Sequence, residues 1–286
     1  MTDHSAPFFS TPRLVAGLIV STLVFAGCHR QPSESAPTPP TSPAPAPQTR
    51  SAPATANITS GRALLQAMHE RYAAGWYRTL TFTQKTTVAL SSGGEVVQTW
   101  YEAGEVPGRL RIDTDRASKG GVIYARDSIF SFTNGKLARA DTGMNDLLVL
   151  GFDVYVQPVA TSEAVLRRLG FDLTHIHEAR WQGKPVYVVG AVPGDTTSKQ
   201  FWIERDRLLF VRLIEHTRQG RADIRFNEYV KYGGGWLAVE VDQLVNGKRR
   251  TLEQYSDVKT NVLLSEALFD PKQWATAPHW APQRRD

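Results

Sequence analysis

The segment KQFWIERDRLLFVRLIEH, Lys199 to His216, decides the fold. Its two halves, KQFWIER and LLFVRLIEH, are rich in aliphatic and aromatic residues and are separated by Arg205-Asp206, so they predict a β-hairpin. The stretch LLFVRLI is apolar at almost every position, whereas a strand with one solvated face alternates apolar and polar residues. Both faces of this strand are therefore expected to be covered, as in a half-barrel sheet that lines a cavity.

Strand-like segments lie on both sides of this hairpin. TLTFTQKTTVAL, VVQTWYEA and RLRID precede it with a period of two, and WLAVEVDQLV follows it. Pairs that favour turns separate many of the segments, among them Pro107-Gly108, Gly120-Gly121, Asn134-Gly135, Gln182-Gly183 and Asn246-Gly247. Asn-Gly between apolar runs is a strong hairpin signal, because both central residues of a type I′ turn need a positive φ. We predict a sheet of mostly hairpin-connected strands.

A helix is predicted before the first strand. In ITSGRALLQAMHERYAAG, residues 58–75, apolar side chains recur at steps of three and four residues. Thr59 or Ser60 is a candidate N-cap, and Gly75 is a candidate C-terminal stop. The pattern indicates an amphipathic helix whose apolar face packs against the sheet that follows.

The middle of the chain loses the period of two and predicts short helices. One contains Leu147 and is stopped by Gly151, and the other is SEAVLRRL, capped by Thr161 or Ser162 and ended by Gly170. The fold class is therefore α+β and mainly β. We expect a large curved antiparallel half-barrel of about 11–12 strands, wrapped around a long N-terminal helix and short central helices.

Several short segments resemble a known family. They are ALLQAMHERYAA, RLRID, FTNGKL, GKPVYVVGAV, KQFWIERDRLLFVRLIEH and ALFDPKQW. In these segments residues 58–275 resemble the outer-membrane lipoprotein-sorting superfamily of LolA- and LolB-like carriers. The resemblance implies an unclosed barrel with a helical lid around a hydrophobic cavity that accepts acyl chains.

Ten apolar residues of the strand-like segments are candidates for the wall of such a cavity. The free energy with which such a cavity binds an apolar ligand grows with the apolar area that is buried, by about 25 cal/mol per Å². Side chains of this type at a period of two also fit a filled core, so both interpretations stay open at each position. The candidates are Leu80, Phe82, Trp100, Leu110, Ile112, Phe130, Phe132, Phe201, Ile203 and Phe226.

The N-terminus has the pattern of an export signal. Arg13 precedes the apolar run Leu14 to Ala26, which is shorter than the roughly 20 residues of a membrane-spanning helix. VFAGC resembles the lipobox of bacterial lipoproteins, in which the cysteine is acylated and becomes the mature N-terminus. We therefore expect a lipoprotein signal peptide at residues 1–27 and a membrane anchor at Cys28. The alternatives are an ordinary secretory signal and an uncleaved anchor.

Two further segments are expected to be disordered. Residues 28–57 hold eight of the 17 prolines and almost no large apolar side chain, which predicts an extended tether. Residues 276–286 are expected to form a disordered tail. His29 after the cysteine, where Gram-negative lipoproteins retained in the inner membrane carry Asp, implies the outer membrane, with the domain in the periplasm.

Composition and motifs give no positive indication of an enzyme. The net charge is +5 without a concentrated basic stripe, which argues against nucleic-acid binding. A single cysteine excludes thiolate zinc sites and internal disulfides. Walker, dinucleotide and G-x-S-x-G motifs are missing, so we expect no cofactor.

Three polar pairs have the spacing of known sites. His175 and His177 lie two apart on a strand and could bind a metal with Glu215, although two histidines on a strand are more often only solvated, and we expect no metal. Ser256 and Lys259 match an S-x-x-K spacing by chance, because its companion motifs are absent. Asp113 and Asp115 could form a glycosidase pair, but a solvated turn explains them better.

The sequence as a whole predicts a cell-envelope lipoprotein. It would hold or present the acyl chain of a lipid or lipoprotein in its half-barrel, as a passive carrier or receptor. The alternative is a structural or stress-signalling lipoprotein of the envelope that binds a protein partner through its sheet. A hydrolase of unrecognised type is the third possibility considered.

Overall fold

The computed structural model describes residues 58–281. Within that range thirteen strands form one antiparallel, curved and unclosed sheet. The strands are β1 (Thr79–Ala89), β2 (Glu95–Glu105), β3 (Arg109–Asp113), β4 (Gly120–Ala125), β5 (Ser128–Thr133), β6 (Lys136–Thr142), β7 (Ile176–Trp181), β8 (Lys184–Val189), β9 (Gln200–Glu204), β10 (Leu209–Thr217), β11 (Gly220–Tyr232), β12 (Gly235–Val245) and β13 (Lys248–Thr260).

Strand order explains how one sheet makes a half-barrel. The order is β6-β5-β4-β3-β2-β1-β13-β12-β11-β10-β9-β8-β7, so every neighbour in the sheet except β1 and β13 is also a neighbour in sequence. The first and last strands pair along their length, from Leu80 opposite Thr260 to Val88 opposite Thr251. The two free edges are β6 and β7, and the chain between them contains the central helices. The predicted α+β, mainly β half-barrel is confirmed.

The structure has one strand more than the sequence predicts. The additional strand is β4, whose first residues Gly120 and Gly121 were interpreted as a turn. Gly121 pairs with Asp113 on β3, and a Cβ on it would lie 2.0 Å from the carbonyl oxygen of Ile112. Glycine is required here by close packing inside the sheet, since no side chain fits.

The turn predictions hold where both central residues adopt positive φ. Asn134 and Gly135 have φ of 52° and 72° and connect β5 to β6. Gln182-Gly183 and Asn246-Gly247 have the same signs and connect β7 to β8 and β12 to β13. These values match the type I′ geometry that follows the right-handed twist of the strands.

Three α-helices accompany the sheet, α1 (Gly61–Tyr72), α2 (Asp146–Gly151) and α3 (Val159–Arg168), with 3₁₀ turns at Asp153–Tyr155, Glu266–Phe269 and Pro271–Gln273. Ser60 caps α1, because its hydroxyl accepts a hydrogen bond of 3.1 Å from the Ala63 N–H. The cap predicted for α3 is wrong: the helix begins at Val159 after Pro158, whose fixed φ suits a helix start. None of the helices within residues 58–281 has the length and apolarity needed to cross a membrane.

The main core lies between the helices and the sheet. Leu64, Leu65 and Met68 of α1 are fully buried. Beyond the end of α1, the indole of Trp76 stacks on the ring of Tyr155, with centroids 4.1 Å apart and planes at 11°. The N-terminal helix buries an apolar face as predicted, but the elements nearest to it are α3 and the 3₁₀ turn Asp153–Tyr155, whereas the sheet was the expected partner.

The outer face of the sheet is covered at one end by the segment after β13. The Arg111 guanidinium is completely buried, donates two hydrogen bonds to the Asp113 carboxylate, and lies 4.0 Å from the centre of the Trp274 ring. Trp280 packs against the cluster that contains Phe269. The segment after residue 275, where the tail was expected to begin, therefore also packs on the domain, because its aromatic side chains contact apolar surface.

The remaining predictions for the ends of the chain fall outside the described residues. These are the signal peptide at 1–27, the tether at 28–57 with Cys28, and the tail from residue 282.

Candidate functional site

The concave face of the sheet and the central helices border a cavity of about 980 Å³. This volume lies at the upper end of the range typical of small-molecule sites. Strands β1–β5 supply one side, β10–β13 supply the other, and α2 with the residues after it covers part of the space between them. The apolar lining includes Leu80, Phe82, Leu110, Ile112, Val122, Ile129, Met144, Leu147, Leu148, Phe152, Leu213, Ile224, Phe226 and Leu237.

The structure places seven of the ten candidate residues along this cavity: Leu80, Phe82, Trp100, Leu110, Ile112, Phe132 and Phe226. The alternation of strand side chains explains how they come together. On β2 the side chains of Gln98, Trp100 and Glu102 point inward, and Tyr101 and Ala103 point to the outer face.

The other three candidates lie outside the cavity wall. Phe201 and Ile203 on β9 are fully buried in the main core, where the Phe201 ring meets that of Phe171 edge-on at 5.3 Å. Phe130 packs against the cluster that contains Trp274, and its neighbour Ile129 faces the cavity. Phe132 belongs to the same cluster, because its ring stacks on that of Trp274 with centroids 4.0 Å apart, although the residue also borders the cavity.

A polar strip crosses the floor of the cavity. Glu253 on β13 accepts a hydrogen bond of 2.7 Å from the Gln243 amide and one of 2.8 Å from the Tyr255 hydroxyl. Beside it on β1, the Gln84 amide donates to the Thr86 hydroxyl at 2.8 Å. Burial raises the pKa of Glu253 to about 7. The floor is therefore acidic and hydrogen-bonded, in contrast to the apolar walls.

Glu102 stands apart from the rest of this strip. Its side chain lines the cavity, and the residue is only 4% exposed. Among the described residues nothing donates a hydrogen bond to its carboxyl group and no cation pairs with it. Burial, and then the like charge of Glu253, raise the pKa of Glu102 well above its ordinary value. Burying a carboxyl group without partners is costly, so this position has unused capacity to bind.

An ion-pair cluster ties the helical cover to the sheet. The Lys199 ammonium lies 3.2 Å from the Glu215 carboxylate of β10 and also contacts Asp146 at the start of α2. Burial raises the pKa of both carboxyl groups. Although burial disfavours its own charge, Lys199 has a raised pKa because both carboxylates face it. The cluster fixes α2 over the end of the cavity.

Sequence reasoning did not identify Glu102 and Glu253. A charged residue in a strand is usually placed on the solvated face, and that assumption excluded both. The signal that could have found Glu102 is its spacing, because it lies two residues after Trp100, which was predicted to face the cavity. Glu253 lies two residues before Tyr255, another cavity residue, in the same way.

The polar pairs weighed from the sequence do not assemble into sites. His175 bonds Asp172 at 2.7 Å and His177 bonds the carbonyl oxygen of Ala191 at 3.1 Å, while Glu215 pairs with Lys199. In the part of the chain that the structure describes, no group of three His, Cys, Asp or Glu residues has a metal-binding arrangement.

The two remaining pairs also have structural partners or open surroundings. Asp113 is completely buried against Arg111, and Asp115 accepts hydrogen bonds from backbone N–H groups of its own turn, those of Ala117 and Lys119. Ser256 and Lys259 are exposed on β13.

Solved structures share this architecture. A DUF1329 family protein from Desulfovibrio piger superposes with a TM-score of 0.50 and 14% identity, over 74% of this chain and 96% of the other. A domain from Vibrio parahaemolyticus, described as an outer membrane lipoprotein-sorting protein domain, gives a TM-score of 0.52 and 12% identity, over 75% and 98%. The chain has the LolA-like fold.

This agreement confirms, at the level of the fold, the resemblance seen in the sequence. A LolA superfamily protein from Nitrosomonas europaea also matches, with a TM-score of 0.46 and 11% identity over 74% of this chain and 97% of the other. No protein-family model and no curated protein sequence matches the chain. At these identities the LolA-like fold is shared, and the function must be argued from the cavity.

Proposed function

We propose that this LolA-like protein is a cell-envelope lipoprotein that holds the acyl chain of a lipid or lipoprotein in its half-barrel, as a passive carrier or receptor. The observation that carries the proposal is the cavity of about 980 Å³ on the concave face, with apolar side chains on both sides of it. The related fold of a domain described as lipoprotein-sorting supports the same conclusion.

The walls suit a flexible alkyl chain. Leu110, Ile112 and Val122 line one side, and Leu213, Ile224 and Phe226 line the other. Each methylene that moves from water into such surroundings contributes about 0.8 kcal/mol, so a chain of a dozen carbons gains on the order of 10 kcal/mol before ordering costs. Binding of this kind needs no directional contact along the chain.

Attachment to a membrane completes the proposal. Acylated Cys28 would anchor the protein in the outer membrane, and the proline-rich tether after it would let the domain reach up to about 80 Å. Two or more acyl chains give lasting attachment, whereas a single chain binds only marginally. The domain would then work in the periplasm, where it meets lipids and lipoproteins in transit.

Transfer in this account is passive. A ligand moves to the site that binds it with the lower free energy, and the protein contributes a dry cavity and a helical cover. We assign no catalytic residue.

The proposal is tested by titrating the protein with cis-parinaric acid, an 18-carbon fatty acid that fluoresces in apolar surroundings. Saturable binding near one molecule per chain, displaced by unlabelled lipid, is the expected result. No binding at micromolar ligand would contradict the proposal and would favour the alternative, a lipoprotein that binds a protein partner through its sheet.

A further inference from the structure

The floor of the cavity has a chemistry that an alkyl chain does not use. An alkyl chain is satisfied by the walls, yet Glu102 and Glu253 both line the cavity as well. Neither carboxyl group belongs to an ion pair among the described residues. A cavity that only stored hydrocarbon would be more stable with apolar residues at both positions.

The two carboxyl groups are not equivalent. Both oxygens of Glu253 already accept hydrogen bonds, from Gln243 and Tyr255, and this arrangement suits a carboxylate. Glu102 is 96% buried, given its 4% exposure, and has no donor from the protein. An acceptor left without a donor in a cavity is the group that a ligand can satisfy.

The surroundings determine which ligand group fits. The titratable groups that interact with Glu102 are Glu253 and Tyr255 of β13 and Tyr124 of β4. None of them carries a positive charge. The cationic side chains elsewhere in the wall include Lys199, which pairs with Asp146 and Glu215, and Arg168, which donates to the Met144 sulfur at 2.7 Å.

We propose that the cavity selects amphiphiles with a primary ammonium group, which binds Glu102 beside Glu253 while the alkyl chain lies along the apolar walls. This inference rests on the proposed function and names its substrate class. The ammonium supplies the donor that Glu102 lacks, and its positive charge favours the ionised form of Glu102 beside Glu253. A carboxylate or phosphate head group beside Glu253 would add a negative charge, so a fatty acid is expected to bind through its alkyl chain but more weakly than an ammonium with the same chain.

Binding of the ammonium group is coupled to a proton. Burial, and then the like charge of Glu253, raise the pKa of Glu102 well above its ordinary value, which favours the protonated carboxyl group in the empty cavity. Contact with an ammonium favours the carboxylate, so the proton leaves to solvent as the ligand enters. Affinity therefore rises as pH increases through the range in which Glu102 titrates, and a neutral ligand shows no such dependence.

The test compares three ligands with the same chain, namely dodecylammonium, dodecanol and dodecanoate. Calorimetry at pH 7.5 uses the full chain with Cys28→Ser, so that no acyl group at Cys28 can occupy the cavity. Dodecylammonium is expected to bind about tenfold more tightly than dodecanol and to release a proton, seen as a dependence of the heat on the buffer. Lysophosphatidylethanolamine, whose ammonium adjoins a phosphate, distinguishes a lipid head group from a simple amine.

Glu102→Gln is the decisive variant. It is expected to lower dodecylammonium affinity about tenfold, abolish proton release, and leave dodecanol affinity within about twofold. Glu95→Gln makes the same change at an exposed position on β2 and should behave like the parent. Because Gln is neutral and similar in size, no loss of folding is expected, and a thermal melt checks this.

The outcomes separate this inference from the proposed function. Equal binding of dodecanol and dodecylammonium, or an unchanged Glu102→Gln, overturns the ammonium inference and leaves the acyl-chain cavity standing. Absence of binding by all three ligands overturns both. Weak binding of lysophosphatidylethanolamine beside tight binding of dodecylammonium supports the inference and assigns the site to amines without a phosphate.

Discussion

Lys199 lies 3.2 Å from Glu215 on β10 and holds Asp146 of α2 by the same ammonium group. Two buried carboxylates therefore depend on one cation that joins the helical cover to the sheet. Lys199 also lies over the ring of Phe171, 4.8 Å from its centre, so its position is fixed from a third side.

Replacing Lys199 with Met should destabilise the protein by about 2–4 kcal/mol at pH 7.5, because it leaves two buried carboxylates without a cation. The loss should shrink at pH 4–5, where both groups, whose pKa is raised by burial, can be protonated. Urea unfolding of parent and variant at both pH values measures the loss of unfolding free energy. Lys85→Met, an exposed lysine on β1, is the control. An equal loss at both pH values would contradict the explanation.

Glu253 should make stability depend on pH. Its pKa is raised from 4.5 to about 7 in the folded protein. The contribution of its proton to the free energy of unfolding is therefore complete below pH 4.5 and is lost as pH rises through 7. Relative to the parent, Glu253→Gln should gain as much as about 3 kcal/mol in unfolding free energy between pH 5 and pH 8.

The difference between variant and parent isolates Glu253, together with the Glu102 carboxyl group whose pKa it raises, from other buried acids such as Asp153, whose pKa burial also raises to about 7. Urea unfolding across this pH range gives the curve. Parallel curves for parent and variant would contradict this prediction, because they would show that Glu253 has the same pKa in the folded and the unfolded protein.

Filling the cavity should block binding without unfolding the protein. Ile112 lines the wall on β3, and Trp at this position would occupy space that the ligand needs. We expect Ile112→Trp to weaken binding of cis-parinaric acid at least about tenfold, equivalent to 1.4 kcal/mol or more. Val97→Trp enlarges a side chain that is 58% exposed on β2 and should not alter binding. Equal effects of the two variants would argue that the ligand binds elsewhere.

Cys28→Ser should release the protein from the membrane. With Cys28 acylated, the parent should incorporate labelled palmitate and sediment with outer membranes, and the variant should do neither and remain in the periplasmic fraction. Labelling that persists in the variant would refute an anchor at this cysteine.

The hairpins and the first helix could be predicted because their signals are local. Asn134-Gly135 fixes a turn through its own φ angles, and Ser60 caps α1 from within four residues. The strand at Gly120–Ala125 could not be predicted in the same way, because its glycine Gly121 is required by close packing against Ile112 of the neighbouring strand β3. A contact between two separate elements cannot be predicted from the sequence of either element alone.

The cavity was only partly predictable for a related reason. Alternation correctly grouped Leu110 with Ile112, since neighbouring inward positions on one strand share a face. It could not show that Glu102 and Glu253, from strands at opposite ends of the sequence, lie on either side of β1 and face the same floor. Nor could it separate Phe201, which meets the core, from Phe226, which meets the cavity.

Native mass spectrometry of the protein from a bacterial periplasm, without detergent and with Cys28→Ser, tests the central claim most directly. The account predicts a species heavier than the chain by one lipid or acylated peptide, which lipid extraction identifies and which Ile112→Trp abolishes. A mass equal to the chain alone, together with no uptake of added lipid, would contradict it.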